Sequence, residues 1–309
     1  MTQDMDLLSI ATLKTLCARA GMRPQRASGQ HFLVNARTLA AIVAAVDPQP
    51  TDTILEIGAG FGVLTTALAL KLKNGEQGGR MIAIERDRRV TPILHELVAS
   101  YGNVEVVEGD VLQLLRGAHA TPVIASEVKQ SRSSSNPRSS WPGLLRHAVP
   151  RNDNGETWKL VANLPYGITS EFLRLLFDRI ADGSMTTPER VVLLLQREVV
   201  DRLTGQPKSR GFLTMLTTLH GSARRVTRVP ASHFWPSPKV ESAVVAITDL
   251  RTPDAIADLL DGMDRTAFLR LVHGAFVGNR RRQLTGALAA ATGMPRERLL
   301  TALHQAHVD

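Results

Sequence analysis

Short apolar runs alternate along the chain with longer segments in which apolar residues recur every three or four positions. The short runs are typical of buried parallel strands, and the longer segments are typical of helices that cover a sheet. The predicted order is strand 53–58, helix 62–73, strand 80–85, helix 88–100, strand 104–109, strand 159–165, helix 169–182 and strand 190–196. This alternation predicts an α/β fold with a mostly parallel sheet and helices on both faces.

Both ends of the chain depart from this alternation. Two helices are predicted first, at 10–20 and 36–46. Two late strand-like runs, at 222–230 and 241–250, are close enough to form an antiparallel pair at the sheet edge, and every segment after Pro253 has helical spacing. We therefore predict a sheet domain over 1–250 and a small all-α domain over 251–309.

Residues 117–158 interrupt the pattern between the third and fourth strands of the predicted parallel sheet. The segment is rich in Ser, Asn, Pro and Arg and includes SRSSSNPRSSWPG. Compact domains rarely contain structureless connections longer than ~12–15 residues. We therefore interpret it as a disordered surface insertion; an arm that touches RNA through its arginines is the alternative.

Charge favours a polyanionic partner. The 309 residues include 37 Lys and Arg against 29 Asp and Glu, a formal net charge of +8, which favours nucleic acid, although a solvated basic surface gives the same count. Cys17 is the single cysteine, which excludes an internal disulfide and a cysteine-based zinc site, and we expect no metal. No apolar stretch or N-terminal leader pattern predicts a membrane partner, so the expected location is the cytoplasm.

Candidate ligand groups stand where predicted parallel strands end. Residues 56–62 read EIGAGFG, and Gly58 and Gly60 allow a tight turn and a close approach of a ligand. Glu85 ends the second strand, and Asp110 follows the third. These ends meet at one edge of a parallel sheet, where Glu85 can accept hydrogen bonds from ribose hydroxyls and Asp110 from an adenine amine.

The spacing of these groups narrows the ligand class. The glycine pattern is G-x-G-x-G rather than the dinucleotide pattern G-x-G-x-x-G, and no P-loop lysine follows it. Two carboxylates would repel a diphosphate and attract a cationic nucleoside. S-adenosylmethionine, whose sulfonium is positively charged, is the cofactor that meets this description.

The tetrapeptide Asn163-Leu164-Pro165-Tyr166 ends the fourth strand of the predicted parallel sheet. The Asn163 side-chain oxygen and the Leu164 carbonyl can accept the two N–H groups of an adenine amine, and Pro165 fixes the direction of that carbonyl. Tyr166 offers a face for a flipped base, and such stacking is worth ~1–3 kcal/mol. A strand-ending turn with a core tyrosine is the alternative. The proline-set loop FWPSPKVES at 234–242 is predicted to bring Phe234 to the other side of the base.

Seven motifs together resemble the ribosomal RNA adenine N6-dimethyltransferase family, and within it the bacterial small-subunit (16S) branch. They are GQHFL (29–33), EIGAGFG (56–62), IERD (84–87), GD (109–110), NLPY (163–166), LLQREVVDRL (194–203) and FWPSPKVESAVV (234–245), in family order. The resemblance implies a Rossmann-like, S-adenosylmethionine-dependent methyltransferase sheet. It also implies two methyl transfers to each of two adjacent adenosines near the 3′ end of the small-subunit rRNA.

Site residues carried over by the resemblance fall into two groups. The cofactor contacts are His31, Leu33, Gly58, Glu85, Asp110 and Asn163, and the aromatics around the target adenine are Tyr166 and Phe234. Position 31 is His where the family frequently has Asn, and Gly167 follows Tyr166 where Asn is common.

Basic clusters supply candidate phosphate contacts. Arg280, Arg281 and Arg282 lie in the helical tail, and Arg224 and Arg225 lie in a late strand. The expected partner is the small-subunit rRNA or the 30S precursor particle, bound by a monomer. Two other functions stay open: a large-subunit rRNA adenine methyltransferase that confers antibiotic resistance, and a ribosome-assembly factor with weak or lost catalysis.

Overall fold

The computed structural model describes residues 5–24, 30–72, 78–117, 157–278 and 284–305. Most of the predicted insertion (118–156) and the arginines Arg280, Arg281 and Arg282 lie outside the described residues. The first half of the chain contains α1 (Ile10–Arg19), β1 (Phe32–Leu33), α2 (Ala36–Val46), β2 (Thr53–Ile57), α3 (Val63–Ala69), β3 (Arg80–Glu85), α4 (Thr91–Val98), β4 (Val104–Glu108) and α5 (Val111–Arg116).

The second half contains the remaining strands and the C-terminal helices. They are β5 (Trp158–Asn163), α6 (Thr169–Ala181), β6 (Arg190–Gln196), α7 (Arg197–Leu203), α8 (Phe212–His220), β7 (Ser222–Val229), β8 (Phe234–Trp235), β9 (Ser242–Thr248), α9 (Pro253–Leu259), α10 (Arg265–His273), α11 (Leu284–Thr292) and α12 (Arg296–Gln305). A single 3-10 turn at Tyr166–Ile168 links β5 to α6. The strands end at Thr248, and the elements that follow are helical, while the division at residue 250 stays a prediction.

Seven strands form the central sheet in the order β4-β3-β2-β5-β6-β9-β7. Strands β2 to β6 are parallel, whereas β9 runs antiparallel between β6 and β7. The chain builds β2, β3 and β4 outward in one direction and then returns to place β5 on the other side of β2. The crevice at the carboxyl ends of β2 and β5 is therefore a topological switch point, where sheets of this kind bind ligands.

The predicted α/β class is confirmed, and the differences lie at the ends of elements. Trp158, which the sequence places in the insertion, is the first residue of β5 and is 2% exposed. The helix predicted at 62–73 spans Val63–Ala69; it begins at Val63 because Gly62 is its N-cap, with φ 84°. The sequence did not predict three short helices, α5, α7 and α8. A short helix repeats its apolar spacing only once or twice, so its pattern is a weak signal.

Alternating side chains give the sheet two buried faces. Leu55 and Ile57 of β2 pack in one cluster with α5, α6, α7 and α8. Ile54 points to the opposite face and packs in a second cluster with α2 and α3. Each fully buried aliphatic or aromatic side chain of this kind contributes about 1.5–3 kcal/mol to folding. Glu56, between Leu55 and Ile57, therefore points to the same face as Ile54, beneath α3.

A buried ion pair anchors β5 at the end of the sheet opposite the crevice. Lys159 and Asp52 are each 1% exposed, and their Nζ and Oδ2 atoms are 2.8 Å apart. The Lys159 ammonium also donates to the Asp47 carbonyl at 2.6 Å, and Asp52 accepts from the Thr157 hydroxyl at 3.0 Å. The second partners satisfy both charges, which a buried pair needs in order to repay the loss of water.

A buried histidine joins the C-terminal helices to the sheet domain. His220, at the end of α8, is 0% exposed, and its Nδ1–H donates to the Leu216 carbonyl at 2.7 Å. Its Nε2 is therefore the acceptor for Arg265 of α10 at 3.2 Å, and Arg265 also pairs with Asp178 of α6 at 2.9 Å. Burial lowers the pKa of His220 to about 4, so the ring is neutral at pH 7.

Candidate functional site

One cavity of about 830 Å³ opens at the carboxyl ends of the parallel strands. Its wall includes the glycine loop after β2, the ends of β3, β4 and β5, and the segment around β1. The volume is within the range of cofactor sites. The predicted residues that line it are His31, Leu33, Gly58, Gly60, Glu85, Asp110, Asn163, Leu164, Pro165 and Tyr166.

The glycine loop turns tightly against the end of β5. Gly58 has φ 74°, and a Cβ at this position would stand 3.3 Å from the carbonyl oxygen of Asn163. Gly60 has φ 56°, and a Cβ there would stand 3.4 Å from the ring of Phe32. Both glycines thus combine a left-handed backbone with a close neighbour, so a side chain at either position would strain the loop.

The carboxylate of Glu85 is fixed by three backbone N–H groups. Its Oε2 accepts from Gly60 at 2.8 Å, and its Oε1 accepts from Arg86 and Asp87, each at 2.8 Å. A carboxylate has about four acceptor sites, so these three bonds orient the group and leave about one site, on Oε2. Glu85 therefore holds the glycine loop in place and still offers an acceptor to the cavity.

Asp110 stands at the start of α5, where its Oδ1 accepts from the Leu112 N–H at 2.8 Å. Its other oxygen, Oδ2, is 3.4 Å from the Arg86 guanidinium, which is 68% exposed. The cap fixes the carboxylate, and the long contact to an exposed arginine leaves Oδ2 available to a better-placed donor.

Three arginines at the rim, Arg86, Arg88 and Arg89, are each paired with an acid. Besides the pair between Arg86 and Asp110, Arg88 pairs with Glu108 at 3.1 Å and Arg89 pairs with Asp87 at 2.7 Å. The Arg89 guanidinium donates to the Asp87 carboxylate and lowers the pKa of that group. Glu85 takes part in none of these three pairs, so its carboxylate suits a cationic ligand.

Glu56 is an acid of the cavity lining that the sequence did not assign to the site. It is 3% exposed, and its Oε2 accepts from the Thr65 hydroxyl of α3 at 2.6 Å. Burial raises the pKa of Glu56 to about 8; the bond from Thr65 opposes this and the nearby charge of Glu85 adds to it. The sequence contains a signal for this residue, because Glu56 is an acid inside the apolar run TILEI. Acidic side chains are rarely buried unless they are paired.

The side chain of Asn163 is oriented by the backbone of the residue that precedes β1. Its Nδ2 donates to the His31 carbonyl at 3.2 Å. The amide nitrogen is therefore the end that is tied to the protein, and Oδ1 is the end that can accept from a ligand. Leu164 next to it is 2% exposed, so this part of the loop is held by the core.

Tyr166 is half-buried at the wall of the cavity. Its hydroxyl is 2.9 Å from the Ser242 hydroxyl, and its ring stacks on His31 with centroids 5.7 Å apart and an interplanar angle of 29°. Burial raises the pKa of Tyr166, so its hydroxyl is neutral at pH 7. Ser242 and the His31 ring were not recognised as supports from the sequence, because both contacts join segments far apart in the chain.

The ring of Phe234 does not point where the sequence predicts. Phe234 is 4% exposed, belongs to the same buried cluster as Leu33 and Val229, and is not part of the cavity wall. The reason is its pairing: β8 forms a two-stranded antiparallel ribbon with β1, in which Phe234 stands opposite Leu33. Alternation along this ribbon turns Phe234 inward and leaves Trp235 beside Phe32.

The basic residues of β7 differ in their surroundings. Arg224 and Arg228 are exposed on this edge strand. Arg225 is half-buried and pairs with Asp201 at 3.0 Å, so its guanidinium already has a carboxylate partner. Among the described residues no helix is long and apolar enough to cross a membrane, and no group of three acidic, histidine or cysteine side chains could hold a metal ion.

The sheet order, the switch point between β2 and β5, and a cavity that joins a glycine loop to strand-end acids define a Rossmann-like fold with a nucleoside-type site. Two solved structures share this fold. The 23S rRNA methyltransferase ErmE superposes with a TM-score of 0.58 at 23% identity, covering 90% of each chain. A dimethyladenosine transferase from Plasmodium falciparum superposes with a TM-score of 0.57 at 22% identity, covering 90% of this chain and 82% of that one.

Sequence comparison gives the family. The chain matches the ribosomal RNA adenine dimethylase family over residues 22–306 and belongs to it. Ribosomal RNA small subunit methyltransferase A of Geobacter metallireducens is 35% identical over 287 residues, covering 92% of this chain and 87% of that protein. The protein of the same name from Dehalococcoides mccartyi is 30% identical over 300 residues, covering 97% and 86%. The chain is therefore an enzyme of a methyltransferase family that acts on ribosomal RNA adenine.

Proposed function

We propose that this enzyme transfers methyl groups from S-adenosylmethionine to N6 of two adjacent adenosines near the 3′ end of small-subunit rRNA. Each adenosine receives two methyl groups, and the reaction takes place in the cytoplasm during ribosome biogenesis. The observation that carries the proposal is that one cavity joins Glu85 and Asp110, suited to a nucleoside, to the loop Asn163–Tyr166, suited to a target base.

The cavity fits S-adenosylmethionine by its donor and acceptor set. Glu85 offers a fixed acceptor for the ribose, Asp110 offers one for the adenine amine, and Gly58 and Gly60 make the tight turn that lines the cavity. When bound, this cofactor supplies an electrophilic methyl group on a cationic sulfonium. The carboxylate of Glu85 favours a cation over a phosphate at this wall of the cavity.

The loop after β5 can prepare an adenine amine as a nucleophile. The lone pair of that amine is delocalised into the ring and is poorly nucleophilic. The Oδ1 of Asn163 and the Leu164 carbonyl can accept the two N–H groups, which favours a nitrogen whose lone pair stands out of the ring plane. Pro165 fixes the carbonyl direction, and Tyr166 stacks on the flipped base, which offsets part of the few kcal/mol that unstacking costs.

Phosphate contacts are assigned to exposed arginines. Arg224 and Arg228 are exposed on the edge strand, Arg225 would have to exchange its partner Asp201 for a phosphate, and Arg280–Arg282 add three charges in the tail. Such contacts position the RNA without reading its sequence. Selection of the two adenosines then rests on the folded rRNA within the particle.

Labelled methyl transfer tests the proposal. Purified enzyme is incubated with labelled S-adenosylmethionine and either small or large ribosomal subunits that lack adenine dimethylation, and the nucleosides are analysed. We expect N6,N6-dimethyladenosine in the small subunit alone. Label only in the large subunit would assign the enzyme to the other rRNA, and particle binding without label would assign it to ribosome assembly.

Cofactor binding is tested separately by calorimetry. Glu85→Ala removes the acceptor offered to ribose and the anchor of Gly60, and we expect S-adenosylmethionine to bind at least tenfold more weakly, as expected for charged hydrogen bonds worth about 1.5–3 kcal/mol. Glu105→Ala, on the exposed side of β4, is the matched control. Equal affinities in the two variants would remove Glu85 from the cofactor site.

A further inference from the structure

Tyr166 is supported by residues from two distant segments. Ser242, 76 residues later in the chain, places its hydroxyl 2.9 Å from the Tyr166 hydroxyl. His31, from the segment before β1, packs its ring on the Tyr166 ring at a centroid distance of 5.7 Å. The tyrosine is thus held at its hydroxyl end and against its face, and these two contacts limit rotation about both side-chain torsions.

Ser242 is a rigid anchor. It is the first residue of β9, is 0% exposed, and stands between Gln196 of β6 and Val229 of β7 in the sheet. The five residues after it are apolar and buried, so the hydroxyl is an exception in this strand. A buried hydroxyl needs a hydrogen-bond partner, and the partner here is the one tyrosine of the cavity wall.

His31 connects the tyrosine to Asn163. Its ring Nδ1 is 2.7 Å from the Pro236 carbonyl, which can only accept, so Nδ1 carries the proton and donates. Its backbone carbonyl accepts from the Asn163 amide at 3.2 Å. One residue therefore touches the loop 234–242, the amine-binding side chain and the stacking ring.

We propose that Ser242 and His31 are positioning residues that together fix the Tyr166 ring as a stacking platform, Ser242 by holding its hydroxyl and His31 by packing on its face. This inference rests on the proposed function. Neither side chain is required to touch the target base. Their effect appears in the methyl-transfer step, because a ring free to turn presents its stacking face for only part of the time.

A double-mutant cycle tests the role of Ser242. Ser242→Ala, Tyr166→Phe and the double variant are compared in single-turnover methyl transfer to unmethylated small subunits at saturating S-adenosylmethionine. Both single changes remove the same hydrogen bond, so we expect each to slow transfer about fivefold, equivalent to about 1 kcal/mol, and the double variant to be no slower than either. Ser237→Ala, whose hydroxyl bonds the Ala231 carbonyl in the same loop, is the matched control with wild-type rate.

Two further measurements separate positioning from loss of structure. S-adenosylmethionine affinity and the melting temperature of Ser242→Ala are expected to stay near those of Ser237→Ala. If the two rate losses multiplied, the double variant would be about 25-fold slower than wild type, which would show that the two hydroxyls act independently and would overturn the role of Ser242. A rate loss in Ser242→Ala that is matched by a lower melting temperature would also overturn it.

His31 is tested by a pair of variants that both keep its backbone carbonyl. His31→Phe retains an aromatic face and His31→Ala does not, so we expect His31→Phe to keep the greater part of the rate. Equal losses in the two variants, or a loss confined to cofactor affinity, would overturn the packing role. Wild-type enzyme that labels no small subunit would instead refute the proposed function, so the two failures are distinguishable.

Discussion

The buried carboxyl of Glu56 makes the free energy of unfolding depend on pH in a direction opposite to that of an ordinary acid. Burial raises its pKa from 4.5 to about 8, so between these values the folded chain holds a proton that the unfolded chain has lost. The stabilising contribution is complete below about pH 4.5 and is lost as the pH rises through about 8.

The size of the effect follows from the same shift. One group with these two pKa values lowers the free energy of unfolding by about 1.4 kcal/mol per pH unit, or about 3–4 kcal/mol between pH 5 and pH 8. Glu56→Gln keeps the shape and the acceptor for the Thr65 hydroxyl but carries no titrating proton. The variant should therefore gain stability relative to wild type as the pH rises.

Urea unfolding of the cofactor-free proteins at pH 5, 6, 7 and 8 measures this difference. We expect the wild-type and Glu56→Gln curves of free energy against pH to diverge by about 3–4 kcal/mol over this range. Glu105→Gln, on the exposed side of β4, is the control and should run parallel to wild type, because its side chain meets water in both states. Parallel curves for Glu56→Gln would refute a buried, protonated carboxyl at the floor of the cavity.

Three other predictions test separate parts of the molecule. Asn163→Ala should reduce methyl transfer at least a hundredfold in single-turnover assays while particle binding changes less than twofold, because it removes an acceptor that acts on the reacting amine; joint loss of both would indicate misfolding. Lys159→Met should cost about 3–5 kcal/mol in urea unfolding because it leaves a buried carboxylate unpaired, whereas Arg19→Met at an exposed pair should cost less than about 1 kcal/mol. Replacing Arg224 and Arg228 by Gln should lower the slope of log affinity against log salt by about 1 for each phosphate that the variant no longer neutralises, and an unchanged slope would remove β7 from the RNA surface.

The sequence predicted the parallel sheet and the ends of its strands because each signal is local. A buried run such as RVVLLLQ is apolar over most of its length, and Glu85 and Asp110 fall where such runs stop. Strand ends in a parallel sheet share one edge, so local assignments already placed these acids on a common edge. The match of seven motifs to one family then supplied the reaction, and the family was confirmed.

The contacts between segments far apart in the chain could not be predicted from the sequence, for a physical reason. The ribbon of β1 and β8 contains two residues from each strand and joins positions about two hundred residues apart, so neither strand has a periodic pattern of its own. That pairing buries Phe234, which the sequence had predicted to face the target base. The direction of Glu56 into the cavity and the bond between Tyr166 and Ser242 likewise depend on how strands lie side by side.

We propose that the enzyme methylates N6 of two adjacent adenosines in small-subunit rRNA through the loop Asn163–Tyr166. The most direct test of this proposal is mass analysis of the 3′-terminal fragment of that rRNA after unmethylated small subunits are incubated with S-adenosylmethionine and either wild-type enzyme or Asn163→Ala. We expect four methyl groups on the fragment, two on each adenosine, with wild type and none with the variant. A fragment without methyl groups after incubation with wild-type enzyme, or the same methylation with Asn163→Ala, would contradict the account.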